Sequence, residues 1–411
     1  VTSSTLFTLL LITIAAVASP IVVDRLSRWI VIPAIVVELI LGVLVGPYVL
    51  HWAQVDDIIS ALSSLGLAVL MFMAGYEIDF GRLRGRPLTL AVVGWLCSLA
   101  LGLGLVALRT GFSLKTVVIG LALTTTALGT LLPILRDRGM LGTPFGNRVM
   151  AVGAIGEFAP IVAISVVLTT DNPVHSMILL VVFAVVAIVA AHLARQPPSP
   201  RMSRLVIRTL HTSAQLAIRL ILLVLVTMVW LAYRFELDTL LGSFAAGIVV
   251  RLAMRPASEH MTQQVEAKLD AIGFGFLIPI FFVVSGINLN LGALSSVEGL
   301  LATALFVVAL LVVRGGPIFV LHRRDLPGVR DRLSLALFGA SALPLIVVIT
   351  TIGTQDGVLT TPLDASLVAA GALSILIFPQ VAMRLLRSGT PETGASTKDT
   401  PVTLPAEPEA L

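Results

Sequence analysis

Glu157 lies in the middle of an apolar run, VMAVGAIGEFAPIVAISVVLTT, that covers residues 149–170. A carboxylate in such a setting can do two kinds of chemistry: it can hold a proton, or, when ionised, bind a cation that has shed its water. If the run crosses a bilayer, a charge at its centre costs about 3 kcal/mol or more, and carboxylates found there mark ion or proton pathways. The neighbours suit that role. Gly153 and Gly156 let another backbone come close, and Pro160 leaves the carbonyl of Gly156 without its helical donor. A second deep charge, Arg314, sits in ALFVVALLVVRGGPIF, eight residues before His322, while Glu157 sits nine after Arg148. At 1.5 Å per residue both are about 12–14 Å in from the same side, which makes Arg314 the expected counter-charge of Glu157. Glu38, in VIPAIVVELILGVLVGP, competes for that pairing at similar depth. Hydroxyls at Thr124, Thr125 and Thr126 can contribute oxygens to a cation.

Other chemistries lack their residues. Cys97 is the single cysteine and lies inside an apolar run, so no intrachain disulfide and no redox chemistry are expected. No histidine falls at mid-span, which leaves His211 and His260 as pH-sensor candidates only. There is no GxSG-type serine, HExxH pair, pair of membrane aspartates or GxxxxGK loop, so neither an intramembrane protease nor an ATP-driven pump is supported. The expectation is a protein that is not an enzyme and needs no cofactor.

Such residues need a scaffold that buries them, and composition names its class. Hydrophobic residues make up 57% of the 411 and charged residues 12%, against about 25% charged in a soluble domain. The chain reads as an all-α polytopic membrane protein with thirteen spans, at roughly 4–23, 30–50, 58–76, 87–108, 114–135, 148–169, 174–194, 216–234, 237–254, 270–288, 298–321, 331–353 and 363–386. The first lacks a basic leader and a cleavage pattern and is not read as a signal peptide. Of the 27 Lys and Arg residues, 23 fall on one set of alternate loops and three on the other, with Arg314 inside a span. That bias predicts the N-terminus outside and the C-terminus in the cytoplasm, and it accounts for the basic character without nucleic acid. Glu77 and Asp79, beside Arg82 and Arg84, read as a solvated cluster at a span end.

An odd span number makes spans 1–6 and 8–13 start from opposite sides, the arithmetic of an inverted repeat. Corresponding spans carry corresponding breaks: LALTTTALGTLLPIL has Thr124, Thr125, Thr126, Gly129 and Pro133, and LFGASALPLIVVITTIG has Gly339, Ser341 and Pro344. Read alone, each is a proline-kinked helix. As a pair seven spans apart, they are expected to be two crossed discontinuous helices. PPSPRMSRLVIRTLHTSAQ, residues 197–215, reads equally as an interfacial helix on anionic lipid or a solvated loop. Residues 389–411, rich in Pro, Thr, Glu and Ala, read as a disordered cytosolic tail.

Several segments resemble the monovalent cation:proton antiporters of the CPA2 branch, the Kef/NapA type: IPAIVVELILGVLVGP, LGLAVLMFMAGYEIDFGRLR, LGSFAAGIVVR and IGFGFLIPIFFVVSGINLNL. LMFMAGYEID and PIFFVVSG are the most specific, and the resemblance covers residues 4–388. It implies a homodimer with a membrane domain over 1–388, a core of spans 87–169 and 298–386, and a panel formed by the remainder. It implies that the family's ion-binding aspartate corresponds to Glu157, its basic residue to Arg314, and its hydroxyl motif to Thr124, Thr125 and Thr126.

Three departures stand out. The site acid is Glu, the residue before it is Gly156 rather than Asp, Asn or Gln, and ASALPLIVV replaces a polar, glutamate-containing sequence of Kef proteins. The activity implied is exchange of a monovalent cation, Na⁺ or K⁺, for H⁺ by alternating access, with both competing for Glu157. With one titratable ligand the exchange is expected to be electroneutral, at the plasma membrane, in a bacterial inner membrane. A non-transporting sensor and a sodium-coupled carrier of organic anions on the same architecture are the alternatives.

Overall fold

The computed structural model describes residues 2–26, 33–77, 85–168, 173–194, 215–255, 257–289 and 296–387. The candidate interfacial stretch up to residue 214, the tail from 388, and Asp79, Arg82 and Arg84 lie outside the described residues. Among those described, every regular element is helical. In chain order they are α1 (Ser3–Leu26), α2 (Ala34–Val45), α3 (Asp57–Glu77), α4 (Arg86–Thr110), α5 (Leu114–Leu123), α6 (Leu128–Asp137), α7 (Pro144–Leu168) and α8 (Pro173–Ala194). There follow α9 (Leu216–Arg234), α10 (Thr239–Met254), α11 (Glu259–Ile272), α12 (Ile278–Asn288) and α13 (Val297–Leu310). Last come α14 (Gly316–Leu321), α15 (Val329–Ala340), α16 (Pro344–Gln355) and α17 (Thr361–Arg387). Two π-helical turns, Gly273–Leu277 and Leu311–Gly315, join α11 to α12 and α13 to α14.

Among the described residues, ten helical stretches are long and apolar enough to cross a membrane. Three more apolar helices, Ala34–Val45, Ile178–Leu193 and Thr239–Met254, are shorter. The chain is therefore an all-α, multi-pass membrane protein. Where boundaries differ from the sequence reading, local chemistry explains them. Of the span expected at 30–50, the described part, residues 33–50, is helical from Ala34, after an extended Pro33, to Val45, before an extended Gly46. The span expected at 270–288 begins earlier, because the polar helix α11 runs through a π turn into α12 as one stretch from Glu259 to Asn288. Hydropathy cannot see such an extension, since EHMTQQVEAKLDAI is polar.

Packing sorts the helices into two groups. α1, α2, α3, α9, α10 and α12 pack on one another, while α4, α5 and α7 pack with α13 to α17, and α8 touches both groups. The first group is held by backbone approach. A Cβ on Gly42 would strike the Val283 carbonyl and one on Gly286 the Leu39 carbonyl, so α2 and α12 interlock reciprocally. Gly75 against the Phe244 carbonyl and Gly247 against the Phe72 carbonyl do the same for α3 and α10. Small residues drive helix association in lipid because they open dispersion contacts that larger ones block. At the end of the bundle, Asp56 accepts the Thr5 hydroxyl and the Ile59 N–H, contacts that hold its carboxyl below the usual range and tie α1 to α3.

Candidate functional site

Two helices are interrupted in mid-path, and the interruptions touch. α5 ends at Leu123 and α6 starts at Leu128, while α15 ends at Ala340 and α16 starts at Pro344. The Ala127 N–H donates to the Ser341 carbonyl at 2.8 Å, and the Thr126 hydroxyl donates to the Gly339 carbonyl at 2.5 Å. Breaking a helix strands carbonyls and N–H groups that lipid cannot satisfy. Here each break is repaired by hydroxyls. Thr124 and Thr125 donate to the carbonyls of Leu121 and Ala122, both at 2.8 Å. Across the second break, Ser374 on α17 accepts the Ala342 N–H at 3.0 Å and donates to carbonyls of Ala342 and Gly371. Ser341 bonds back to Leu337.

Pro160 leaves its trace where the sequence places it. The Gly156 carbonyl, deprived of a donor at position 160, accepts the Thr126 N–H at 3.0 Å, which ties α7 to the first break. The next residue is Glu157, 3% exposed. Leu128, first in α6, offers it a backbone N–H, and its Oε2 has no hydrogen-bond partner among the described residues. The positive end of the α6 dipole thus faces the acid. Glu157 opens onto a narrow cleft with Gly129 and Thr130 of α6, Pro344 of α16, and Leu70, Met73, Ala74 and Glu77 of α3. That cleft is a seam between the two helix groups. A wider cavity of about 560 Å³, toward the other end of α3, is lined by Ser60, Ser63, Ser64, Asp238, Ser285, Asn288, Thr351 and Asp364.

The expected Arg314–Glu157 pair is not formed. Arg314 is 0% exposed, and its Nε donates to the Thr126 hydroxyl at 3.0 Å and its Nη2 to the Val152 carbonyl at 2.8 Å. No ion pair within 4.0 Å joins it to Glu157 among the described residues. Depth along two helices gave the right level but not the direction in which each side chain leaves its helix. Arg314 lies within the π turn Leu311–Gly315, and nothing in the sequence LVVRG announces such a turn. Glu38 is buried on α2. Of the three threonines expected to bind a cation, Thr124 and Thr125 are occupied in their own helix ends and Thr126 in the Arg314 and Gly339 contacts. The hydroxyl that shares the cleft with Glu157 is that of Thr130, which also donates to the Ala127 carbonyl at 2.9 Å and keeps its oxygen lone pairs for a further ligand, and the sequence reading missed it along with Ser374. Thr130 lies one turn past the threonine run, which is the signal that pointed to it. Gly129 lines the cleft, a Cβ on Gly339 would collide with Ile318, and Pro133 lies within α6.

The chain as a whole has counterparts among known proteins. Residues 10–387 match the family described as sodium/hydrogen exchanger, transmembrane. The chain belongs to that family. Among relatives of this exchanger, YjbQ of Bacillus subtilis (strain 168) is 27% identical over 429 residues, covering 96% of this chain and 67% of that one. The Na(+)/H(+)-K(+) antiporter GerN of Bacillus cereus is 24% identical over 361 residues, 84% of this chain and 88% of that one. The structure of the sodium proton antiporter MjNhaP1 from Methanocaldococcus jannaschii at pH 8 shares the fold, with a TM-score of 0.68 and 17% identity over 94% of this chain and 98% of that one. Members of the exchanger family are transporters, not enzymes.

Proposed function

We propose that this exchanger is a secondary antiporter that trades a monovalent cation, Na⁺ or K⁺, for H⁺ at Glu157. The observation that carries the proposal is Glu157 itself, buried, with one oxygen unpartnered, on a seam between two packed helix groups and beside the ends of two broken helices. Ionised, it binds a dehydrated cation with the Thr130 hydroxyl and cleft-facing backbone as further oxygens. Protonated, it is neutral and lets the cation go. The two ligands exclude each other, and that exclusion is the exchange.

The finer reading follows the same logic. The ten long and three shorter apolar helices support thirteen spans, and the matching breaks in α5/α6 and α15/α16 support an inverted repeat of spans 1–6 and 8–13. The group of α4–α7 with α13–α17 is then the moving core and the other group a panel, in a homodimer. The motifs around residues 70–79 and 279–286 favour the CPA2 branch. The Lys and Arg bias favours the N-terminus outside and the C-terminus in the cytoplasm, in a bacterial inner membrane. One carboxylate carries one proton or one monovalent cation, and Arg314 stays protonated throughout, so exchange is electroneutral.

The test is dequenching of a pH-sensitive dye in proteoliposomes as Na⁺, K⁺ or Li⁺ is added. Wild type dissipates the proton gradient and Glu157→Gln, inserted and folded, does not; Glu157→Asp keeps part of the activity. Full exchange by the Gln variant sinks the proposed site.

A further inference from the structure

Gly156 precedes the site acid and has no side chain, yet the space beside it is not empty. A Cβ built on Gly156 would meet the Thr126 hydroxyl oxygen first, would lie 2.5 Å from Nη2 of Arg314, and would lie 2.7 Å from the Thr126 Cβ. The volume a side chain at 156 needs is taken jointly by Thr126 and by the Arg314 guanidinium, which no solvent reaches. From there the guanidinium grips both sides of the turn that bears Glu157. Its Nη2 bonds the Val152 carbonyl on α7, and its Nε bonds the Thr126 hydroxyl, whose own N–H holds the Gly156 carbonyl. Arg314 lies within the π turn Leu311–Gly315; such bulges re-aim side chains and gather at functional sites. A planar fork makes both bonds from fixed donors, whereas an ammonium is a point charge on a flexible stem without that fixed geometry.

We propose that Gly156 is a socket for the Arg314 guanidinium, and that Arg314 is a positioning residue that fixes the Glu157 turn against the first helix break. Any side chain at 156 and the guanidinium exclude each other. The proposal rests on Glu157 being the exchange site.

The test is a double-variant cycle in the full-length protein, reading melting temperature in detergent and cation-driven proton flux in proteoliposomes. Gly156→Ala overfills a packed site and lowers the melting temperature by about 4 °C or more, with a loss of flux. In an Arg314→Ala background the guanidinium is gone and Thr126 alone is left to give way, so the same Ala costs less. If Gly156→Ala cannot be purified folded, the double variant must be recoverable; failure to recover it overturns the socket. Arg314→Lys keeps the charge but loses the fork, and its exchange shows a displaced pH midpoint, which a merely structural residue would not produce. Additive costs at 156 and 314, a Gly156→Ala protein that melts and transports as wild type, or an unmoved pH midpoint in Arg314→Lys would each overturn the proposal. Glu157→Gln in the same assay keeps the two ideas apart: exchange by that variant removes the site, whereas an inactive Gln variant with additive costs removes the socket alone.

Discussion

At Glu157 the decisive property is a buried carboxylate oxygen with no hydrogen-bond partner among the described residues. A carboxylate so placed takes its next ligand from transit, and the cleft supplies one hydroxyl, that of Thr130, for the task. Thr130→Val is therefore expected to raise the apparent KM for the cation several-fold with little change in the maximal rate. Thr124→Val and Thr125→Val lose a bond to a helix-end carbonyl just as Thr130→Val does, but neither residue lines the cleft, so each should cost about 1 kcal/mol of stability and leave the KM near wild type. Cation titration of proton flux separates the two classes, and an unchanged KM in Thr130→Val would remove that residue from the ligand set. What the sequence made legible at this scale was the acid, because a lone glutamate in an apolar run is conspicuous on its own. It also made legible the effect of Pro160 on the Gly156 carbonyl. The partner of Arg314 was not legible, because a one-dimensional depth says nothing about azimuth, and a single π turn rotates every residue beyond it by about a quarter turn.

Among elements, the two breaks are repaired by different means. The first is stapled by its own threonines and by Arg314; the second borrows Ser374 from the neighbouring helix α17. Ser374→Ala leaves the Ala342 N–H unpaired in a buried position and is expected to destabilise the protein by about 1–3 kcal/mol. A melting curve in detergent measures this, and a variant that melts with wild type would mean that the second break finds another partner. Ser374→Thr keeps the hydroxyl and should recover most of the loss. The second break could be read from Pro344 beside Gly339 and Ser341, whereas the first falls on the threonine run at residues 124–127 and not at Gly129 or Pro133, which lie inside α6. The terminal residues of the breaks could not be read, because an unwound segment of three or four residues is decided by hydrogen bonds across the crossing, such as Ala127 to Ser341, rather than by propensity. The polar helix α11 was invisible for a different reason, since hydropathy finds the part of a helix that lies in lipid and not the part that continues beyond it.

Across the whole molecule, the proposed cycle uses one carboxylate and an arginine that stays protonated, and it predicts that no net charge moves. A potential of 100 mV acts on one transferred charge with about 2.3 kcal/mol, so an electrogenic cycle would respond strongly. Cation-driven proton flux at equal pH should be the same with and without an imposed potential, and a rate that follows the potential would show that a second charge moves. The cavity of about 560 Å³ supplies a second measurement. In a Cys97→Ala background, Ser63→Cys and Ser285→Cys should react with an impermeant thiol reagent from one side only, and saturating cation should change the rate of labelling; indifference to cation would divorce that cavity from transport. The reciprocal glycine contacts of α2 with α12 and of α3 with α10 bear on how any mutational survey of this protein will read. Gly42, Gly75, Gly247 and Gly286 touch carbonyl oxygens of a neighbouring helix and no ion, and a carbonyl, unlike a side chain, has no rotamer to yield with. A screen scored by salt tolerance will therefore rank these four among the most intolerant positions, beside Glu157 itself, while purified variants fail by losing their assembly instead of their chemistry. Intolerance to substitution here maps the rail on which the machine is mounted as faithfully as it maps the cargo.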